Sequence, residues 1–445
     1  MTGMQTEGLA EYILVEYRWV IVICALLPMS FLWKIWSAFR NYVVFKMNSA
    51  PKQHDKKVKD VQRQINEWLK GDRSTKLCTS RPGWQTMSYR QAIYKKTFTN
   101  INVNLVDILE VDTKNLTVRC EPLVTMGQLS RTLEPLGLAL AVVPELDQLT
   151  VGGLVMGTGV ETSSHIHGLF QHICTEYELV LADGSVITCS KTEHPELFYA
   201  VPWSYGTLGF LTSAVIKLVP AKKYVRLEYH PCTSLSELSK RLSQESLKEQ
   251  PHQFIEALLF SKETGVLMTG DMVDEEGPDG KINPIGEWYS EWFFTQVRRH
   301  LKNYQDGKRS TVVEYIPLRH YYHRHTRSLF WELQVYPIWL CPFKVFRQPG
   351  QLRVTSGDWQ MFVDVGIYGV PKAKGFETVP STRRVEDFVI KNKGFQMLYA
   401  DTYTTLEEFR QMFDHTLYDK LRETLPFCKD AFPEIYGKVN RHVRK

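Results

Sequence analysis

Apolar residues near the start of the chain recur at the spacing of a helix. Between residues 54 and 70, every third or fourth position is apolar while the positions between them are mostly Lys, Asp, Gln and Arg. This spacing predicts an amphipathic helix whose charged positions form a solvated face. The apolar positions are Val58, Val61, Ile65, Trp68 and Leu69.

A different pattern begins farther along the chain. Residues 177–188 predict two strands joined by a tight turn at Asp183-Gly184, and residues 211–219 predict a strand that ends at Pro220. After Pro220 the pattern changes to a strand over 224–229 and a helix over 235–247. This change predicts a second domain.

Glycines are concentrated in one apolar segment. Gly152, Gly153, Gly157 and Gly159 lie within eight positions, among Val, Leu and Met. Because glycine has no Cβ, successive amides can turn towards a bound phosphate and form an anion nest. A tight turn between two core segments is the alternative interpretation.

An uncharged stretch at residues 19–33 is followed by Lys34, and with snorkelling of that lysine it extends to Phe39. That length approaches the roughly 20 residues of a membrane-spanning helix, and Trp19, Trp33 and Trp36 suit an aromatic belt. A signal peptide, a core helix and an in-plane helix kinked at Pro28 are alternatives. Lysines and arginines follow the stretch, so the positive-inside rule places the C-terminal body in the cytosol.

Composition narrows the class of protein. The 445 residues are 43% hydrophobic, enough for two domains with their own cores. The net charge of +5 is spread out and does not indicate a nucleic-acid partner. Eight cysteines occur without C-x-x-C spacing, which favours reduced thiols over zinc ligands or disulfides. We predict no metal site, since His165, His167 and His172 lack a nearby pair of carboxylates.

Three sequence phrases occur in a fixed order: Thr-Val-Gly-Gly from Thr150, Ala-Asp-Gly from Ala182, and Gly-Thr-Leu-Gly-Phe from Gly206. In this order they resemble the FAD-binding, PCMH-type domain of the vanillyl-alcohol-oxidase superfamily. A Rossmann unit is disfavoured because no G-x-G-x-x-G follows a predicted strand.

The resemblance implies an α+β fold with three parts. These are an N-terminal membrane helix (1–44), a two-subdomain FAD-binding domain (45–221) and a truncated α/β cap domain (222–445). FAD is expected to be held non-covalently, since residues 80–84 contain no His or Cys. The residues implied to bind FAD are Thr150, Val151, Gly152, Gly153, Leu154, Val155, Met156, Gly157, Thr158, Gly159, Val160, Glu161, Thr162 and Gly209.

Further phrases resemble the sterol side-chain reductases of this superfamily. They include residues 80–84, 170–174, 315–325 and 394–401. The resemblance implies reduction of the sterol C24–C25 double bond, as in the conversion of desmosterol to cholesterol, with NADPH as reductant. It also implies a place in sterol biosynthesis at the endoplasmic reticulum membrane, with the Golgi membrane as an alternative.

The chain departs from that family at Gln334–Val335, where several dozen residues of the cap domain are missing. Removing such a unit should leave apolar faces uncovered. Two other interpretations therefore stay open. The chain could be a catalytically impaired membrane flavoprotein, or an oxidase of the superfamily that acts on another lipid or a lactone.

Reducing an isolated alkene requires a proton donor beside the hydride source. His320 and His323 lie in a run rich in Tyr, His and Arg, and they are candidates for the acid or for NADPH phosphate binding. A polar, solvated strand or loop is the alternative for that run. Tyr399 is a second candidate donor, tuned by Asp401 on the same face of a predicted strand.

Overall fold

The computed structural model describes residues 24, 27–82, 93–308, 312–326, 336–369, 371 and 373–443. The chain divides into two units, Met1–His54 and Asp55–Lys445.

The helices of the described residues are mostly short. The α-helices are α1 (Leu27–Lys46), α2 (Ala50–Lys70), α3 (Met126–Leu133), α4 (Val151–Met156), α5 (Ser164–His167), α6 (Pro195–Ala200), α7 (Leu235–Ser246), α8 (Phe293–Gln305), α9 (Leu318–Tyr322), α10 (Thr378–Lys391), α11 (Leu406–Met412), α12 (Thr416–Thr424), α13 (Cys428–Ala431) and α14 (Ile435–Val439). Single 3₁₀ turns occur at Ile93–Lys96, Glu134–Leu136 and Phe170–Ile173.

The strands of the described residues are concentrated before residue 367. They are β1 (Leu77–Thr79), β2 (Thr99–Ile101), β3 (Ile108–Asp112), β4 (Thr117–Cys120), β5 (Leu138–Leu140), β6 (Cys174–Val180), β7 (Val186–Ser190), β8 (Phe210–Pro220), β9 (Tyr224–Cys232), β10 (Phe254–Leu259), β11 (Gly265–Val273), β12 (Lys281–Ile282), β13 (Val312–Pro317), β14 (Ile338–Phe346) and β15 (Trp359–Gly366).

These strands form three sheets. β1 and β2 make a parallel pair. The second sheet has the order β3-β4-β8-β6-β7, with β5 also paired to β8, and all its pairings are antiparallel. The third has the order β12-β13-β9-β11-β10-β14-β15 and is antiparallel except between β12 and β13. This α+β architecture agrees with the predicted fold class.

Helix α2 confirms the prediction from helical spacing. Val58, Val61, Ile65 and Trp68 are buried along one side of it. Lys57, one position before Val58, donates to Asp107 (2.6 Å) and Glu121 (2.7 Å), whose side chains are almost fully buried. The cation therefore links two carboxylates, one at the start of β3 and one at the end of β4.

The hairpin predicted at Asp183-Gly184 is also confirmed. β6 and β7 pair in antiparallel register up to Val180 and Val186. Gly184 has a φ of +81°, a conformation that favours glycine. The Asp183 carboxylate accepts from the Ser185 amide at 2.9 Å, as expected for a turn aspartate.

The strands change sheet after Pro220, between β8 and β9. The C-terminal helices nevertheless contact the segment that precedes β8. Tyr418 on α12 lies 2.7 Å from the Thr207 hydroxyl, and Arg422 donates to the Thr207 carbonyl at 3.1 Å. The predicted boundary at 221/222 stays a prediction, since the last helices pack against the domain that the resemblance assigns to FAD.

Within the described residues, no helix combines the length and the apolar character required to span a bilayer. The predicted membrane segment lies partly outside those residues, since 19–23 and 25–26 are not among them. Its C-terminal part belongs to α1, where Phe31, Trp33 and Trp36 are each more than half exposed. The N-terminal membrane helix stays a prediction.

Candidate functional site

The glycine-rich segment forms a short helix, not an open loop. Thr150 has an extended backbone, and its hydroxyl accepts from the Gly153 amide at 3.3 Å, which caps α4. The amides of Val151 and Gly152 donate to the carbonyls of Val124 (2.9 Å) and Pro122 (2.8 Å). This first part of the segment is thus tied to the chain before α3.

Packing explains two of these glycines. A Cβ on Gly152 would lie 2.8 Å from Pro122 Cβ, and one on Gly159 would lie 2.9 Å from Leu154 Cδ2. Real side chains do not approach so closely, so both positions need glycine because of their protein neighbours. The amides of residues 151–154 and 157 donate within the protein, so they do not form the predicted anion nest.

The unpartnered groups lie farther along, after α4. The amides of Thr158, Gly159 and Val160 have no acceptor among the described residues. The Thr158 hydroxyl is buried and likewise has no partner among them. Buried polar groups are rarely left unsatisfied. Three amides and a hydroxyl in sequence form a set of donors that fits the phosphate or carbonyl oxygens of a flavin nucleotide.

A cation lies at the other end of α4. Arg81 donates from Nη1 to the Thr150 hydroxyl at 3.1 Å. Arg81 is partly buried, and this burial lowers the pKa of its guanidinium. Such a charge can pair with a diphosphate. In the sequence analysis, residues 80–84 supported the family resemblance and excluded a covalent tether, but Arg81 was not named as a binding residue.

Gly209 lies just before β8. A Cβ there would be 3.1 Å from the Val180 carbonyl oxygen, so the close approach of the chain to β6 accounts for the glycine. Its predicted contact with FAD stays a prediction.

The end of the glycine-rich segment belongs to a buried ionic cluster. Glu161 accepts from the Thr162 amide (2.9 Å) and from Arg324 Nη2 (2.8 Å). Arg324 also binds Glu256 on β10 through two bonds of 2.9 and 2.8 Å, and Trp339 on β14 donates to Glu256 at 2.8 Å. The ion-paired side chains are at most 1% exposed. Burial works against the charge of Arg324, but the two carboxylates raise its pKa.

Glu145 adds a third carboxyl to this cluster. Burial and then the negative charge of Glu161 raise its pKa well above the ordinary value. Glu145 therefore takes up a proton more readily than an exposed glutamate does.

The run from Tyr315 to Arg324 is not a solvated strand or loop. It completes β13, forms α9 and enters a turn, and Tyr321, Tyr322 and Arg324 are buried. Arg324 is held by Glu161 and Glu256, so its guanidinium is engaged within the protein. Residues 327–335, which include the Gln334–Val335 junction, lie outside the described residues.

The two candidate histidines occupy different surroundings. His323 Nε2 lies 2.8 Å from the Ser130 hydroxyl, and its Nδ1 lies 3.1 Å from Asp147 Oδ1. Burial lowers the pKa of His323 to about 4, so the ring is neutral at pH 7 and is poorly suited to donate a proton. His320 packs against Gly286, where a Cβ would lie 2.6 Å from the ring.

Tyr399 and Asp401 do not lie on a strand, which corrects the prediction. Residues 398–400 form a turn, and residues 403–405 have no regular structure before α11. The Tyr399 hydroxyl lies 3.1 Å from the Tyr368 hydroxyl, whereas Asp401 Oδ2 is 3.9 Å from Arg441 Nε. Burial, Tyr368 and Asp364 raise the pKa of Tyr399 well above 10. The structure therefore brings Tyr399 to Tyr368 and Asp364.

Asp364 is another group that the sequence analysis did not identify. It lies on β15 directly opposite Cys341 of β14. Burial, and then the charges of Glu161, Asp364 and Glu256, raise the pKa of the Cys341 thiol. Asp364 Oδ2 is enclosed and has no hydrogen-bond partner among the described residues.

Disulfide bonds and metal-ligand groups are two further features that bear on the chemistry of the site. None of the eight cysteines forms a disulfide. Within the part of the chain that the structure describes, no three His, Cys, Asp or Glu side chains are grouped as metal ligands.

Comparison with known proteins agrees with this geometry. Residues 72–190, which include Arg81 and the glycine-rich segment, match a family model described as an FAD binding domain. The delta(24)-sterol reductase of Homo sapiens is 46% identical over 99% of this chain and 96% of its own length. A delta(24)-sterol reductase homologue of Caenorhabditis elegans is 41% identical over 99% of this chain and 97% of its own length. The delta(24)-sterol reductase of Arabidopsis thaliana is 33% identical over 96% of this chain and 92% of its own length. With such identity along almost its whole length, the chain belongs to the delta(24)-sterol reductase family.

Proposed function

We propose that this chain is an FAD-dependent reductase that uses NADPH to saturate the C24–C25 double bond of a sterol side chain. The observation that carries the proposal is the 46% identity to the human delta(24)-sterol reductase over 99% of the chain. The match of residues 72–190 to an FAD binding domain adds a place for the redox cofactor that such a reaction needs.

The reaction sets demands on the protein. An isolated trisubstituted alkene has no carbonyl that could accept a hydride, so a proton must reach C24 while positive charge develops at C25. When bound, reduced FAD supplies the hydride for C25 and is reduced again by NADPH. The protein must position a proton donor and exclude water from the developing cation.

The cofactor would be held without a covalent bond. The donors of Thr158, Gly159 and Val160 and the charge of Arg81 are the groups that suit it. The nearby thiol, Cys78, is buried on β1 and its Sγ faces Asn100 Oδ1 at 3.4 Å. Burial raises the pKa of Cys78, which opposes formation of a nucleophilic thiolate.

The N-terminal region would hold the enzyme at the endoplasmic reticulum membrane with the catalytic body in the cytosol, where NADPH is available. Helix α1 supports membrane contact, because Phe31, Leu32, Trp33, Trp36 and Phe39 are all more than half exposed. Aromatic side chains favour the interface between headgroups and acyl chains. The Golgi membrane is the alternative site.

A catalytically impaired flavoprotein is the second candidate function. The alignment with the human relative extends over 507 positions while this chain has 445 residues, so at least 62 positions have no residue here. Edge strand β15 exposes Trp359, Val363 and Val365, and Ile367 follows with half of its side chain exposed. An uncovered apolar edge is expected where a covering segment of the cap is missing.

Anaerobic spectroscopy separates these functions. A reductase should be purified with FAD, lose its flavin absorbance on addition of NADPH, and regain it on addition of desmosterol with formation of cholesterol. Indifference to NADPH, combined with rapid reoxidation by oxygen after chemical reduction with dithionite, would favour a superfamily oxidase. Bleaching by NADPH without reoxidation by desmosterol would favour the impaired flavoprotein. The human relative is the matched positive control.

A further inference from the structure

Three strands of the seven-stranded sheet carry a row of polar side chains on one face. Cys341 on β14 pairs directly with Asp364 on β15. On its other side, β14 pairs with β10, where Ala257 lies opposite Leu340. Continuing this antiparallel register by one residue places Glu256 opposite Cys341. Opposite residues of neighbouring strands are about 5 Å apart, which places Glu256 and Asp364 roughly 10 Å from each other.

This row faces the end of the glycine-rich segment. Glu256 is joined through Arg324 to Glu161, which follows the unpartnered amides of residues 158–160. Cys341 is the middle member of the row, between Glu256 and Asp364, and the negative charge of Glu161 contributes to its raised pKa. Asp364 therefore lies on the side of the sheet that faces the proposed flavin site.

We infer that the carboxylic acid of Asp364 donates the proton to the sterol side chain, beside the Tyr399–Tyr368 hydroxyl pair. This inference rests on the proposed function. The O–H bond of the acid breaks as the C24–H bond forms from the alkene electron pair. When bound, reduced FAD would supply the hydride that removes the positive charge at C25, and the carboxylate of Asp364 regains a proton from water.

The surroundings of Asp364 suit an acid. Oδ2 is enclosed without a partner among the described residues, although the residue as a whole is partly exposed. Burial raises its pKa to about 7, so a large fraction carries a proton at neutral pH. General acids work best when their pKa is near the working pH. Its titratable neighbours are Cys341, directly opposite on β14, and Tyr399, which is paired with Tyr368. The charges of Glu256, Glu161 and Arg324 act on Cys341.

The other groups suit this task less well. Tyr399 holds its proton too tightly to be the acid, because burial raises its pKa well above 10, but its hydroxyl can position the carboxyl or the substrate. Ionising Glu145 would add a third carboxylate beside the single guanidinium that Glu161 and Glu256 share, and the negative charge of Glu161 opposes this.

The test separates the two halves of the reaction. In Asp364→Asn, NADPH should reduce the flavin as in the wild type, whereas reoxidation of the reduced flavin by desmosterol should slow by about 100-fold or more. Wild-type reoxidation should slow as the pH rises through about 7, and the variant should lack this dependence. Asp358→Asn is the matched control, an exposed aspartate just before β15, and should behave as the wild type. Infrared difference spectra of the cofactor-free proteins should show a protonated carboxyl band that titrates near pH 7 and is missing only from Asp364→Asn.

Three results would overturn the assignment. Unchanged reoxidation in Asp364→Asn is one, and ionisation of Asp364 throughout the neutral range in the infrared titration is another. Loss of both the rate and its pH dependence in Glu145→Gln, with Asp364→Asn active, would move the acid to Glu145. Failure of the proposed function looks different, since reduced wild type and Asp364→Asn would then both ignore desmosterol.

Discussion

The guanidinium of Arg324 lies 2.8 Å from the carboxylate of Glu161, and both side chains are buried. The same guanidinium binds Glu256 on β10 through two hydrogen bonds. One arginine therefore ties the end of the glycine-rich segment to the seven-stranded sheet. The position of residues 158–160 relative to Asp364 depends on this link.

Replacing Arg324 by Ala should lower the free energy of unfolding by about 3–5 kcal/mol, because two buried carboxylates would lose their counter-charge. The loss should be measured by urea denaturation. Arg241→Ala is the control, since Arg241 pairs with Glu237 on the surface and should contribute less than about 1 kcal/mol. Equal losses in the two variants would contradict the role given to Arg324.

Spacing along the chain predicted those features that depend on local periodicity and turn chemistry. The buried side of α2 follows from apolar residues at helical spacing, and the β6–β7 hairpin follows from Asp183-Gly184. The family was predicted from several short sequence phrases that occur in a fixed order. Each of the three phrases that indicate FAD binding contains glycine, where the backbone must turn or pass close to a neighbour.

The acid of the site could not be predicted in this way. Strand β15 exposes Val363 and Val365 and turns Asp364 inwards, the reverse of the usual alternation. Sequence reasoning normally places such an aspartate in solvent. Glu256 occurs in a strand that is buried throughout, and its partner Arg324 is 68 residues away along the chain. Such pairings become visible only in three dimensions.

Gly159 should not tolerate a side chain. A Cβ there would lie 2.9 Å from Leu154 Cδ2 and 3.0 Å from Phe170 Cβ. Gly159→Ala should cost about 1–3 kcal/mol of stability by overpacking, and it should weaken FAD retention because the adjacent amides would shift. Gly437→Ala is the control. Nothing lies within 4 Å of a Cβ at that position in α14, so alanine should be neutral or stabilise by up to about 1 kcal/mol. Thermal denaturation and flavin content check both variants.

Thr158→Val should separate cofactor binding from folding. The Thr158 hydroxyl is buried without a partner among the described residues, so its removal should leave the stability of the cofactor-free protein unchanged or slightly higher. Loss of one hydrogen bond to FAD should weaken binding by about 10-fold.

Thr212→Val is the control, because it should change stability and not cofactor binding. The Thr212 hydroxyl binds Glu178 at 2.6 Å, so this variant should lose stability and keep its affinity for FAD. Equal FAD affinity of Thr158→Val and the wild type, measured by fluorescence titration, would remove Thr158 from the cofactor site.

Protonation of His172 should destabilise the protein in mild acid. His172 Nδ1 accepts from the Leu169 amide at 2.9 Å, so a proton on that nitrogen would break the bond. Burial lowers the pKa of His172 from 6.5 to about 4. The unfolded chain therefore binds the proton more tightly than the folded chain does. The stabilisation is complete above pH 6.5 and is lost as the pH falls towards 4, by about 3 kcal/mol in total.

His172→Gln keeps a hydrogen-bond acceptor that does not titrate, so its free energy of unfolding should fall less steeply between pH 6.5 and 4. The exposed His194, replaced by Asn, should retain the steep dependence of the wild type. Parallel curves for wild type and His172→Gln in urea titrations across this range would show that the ring does not control acid stability.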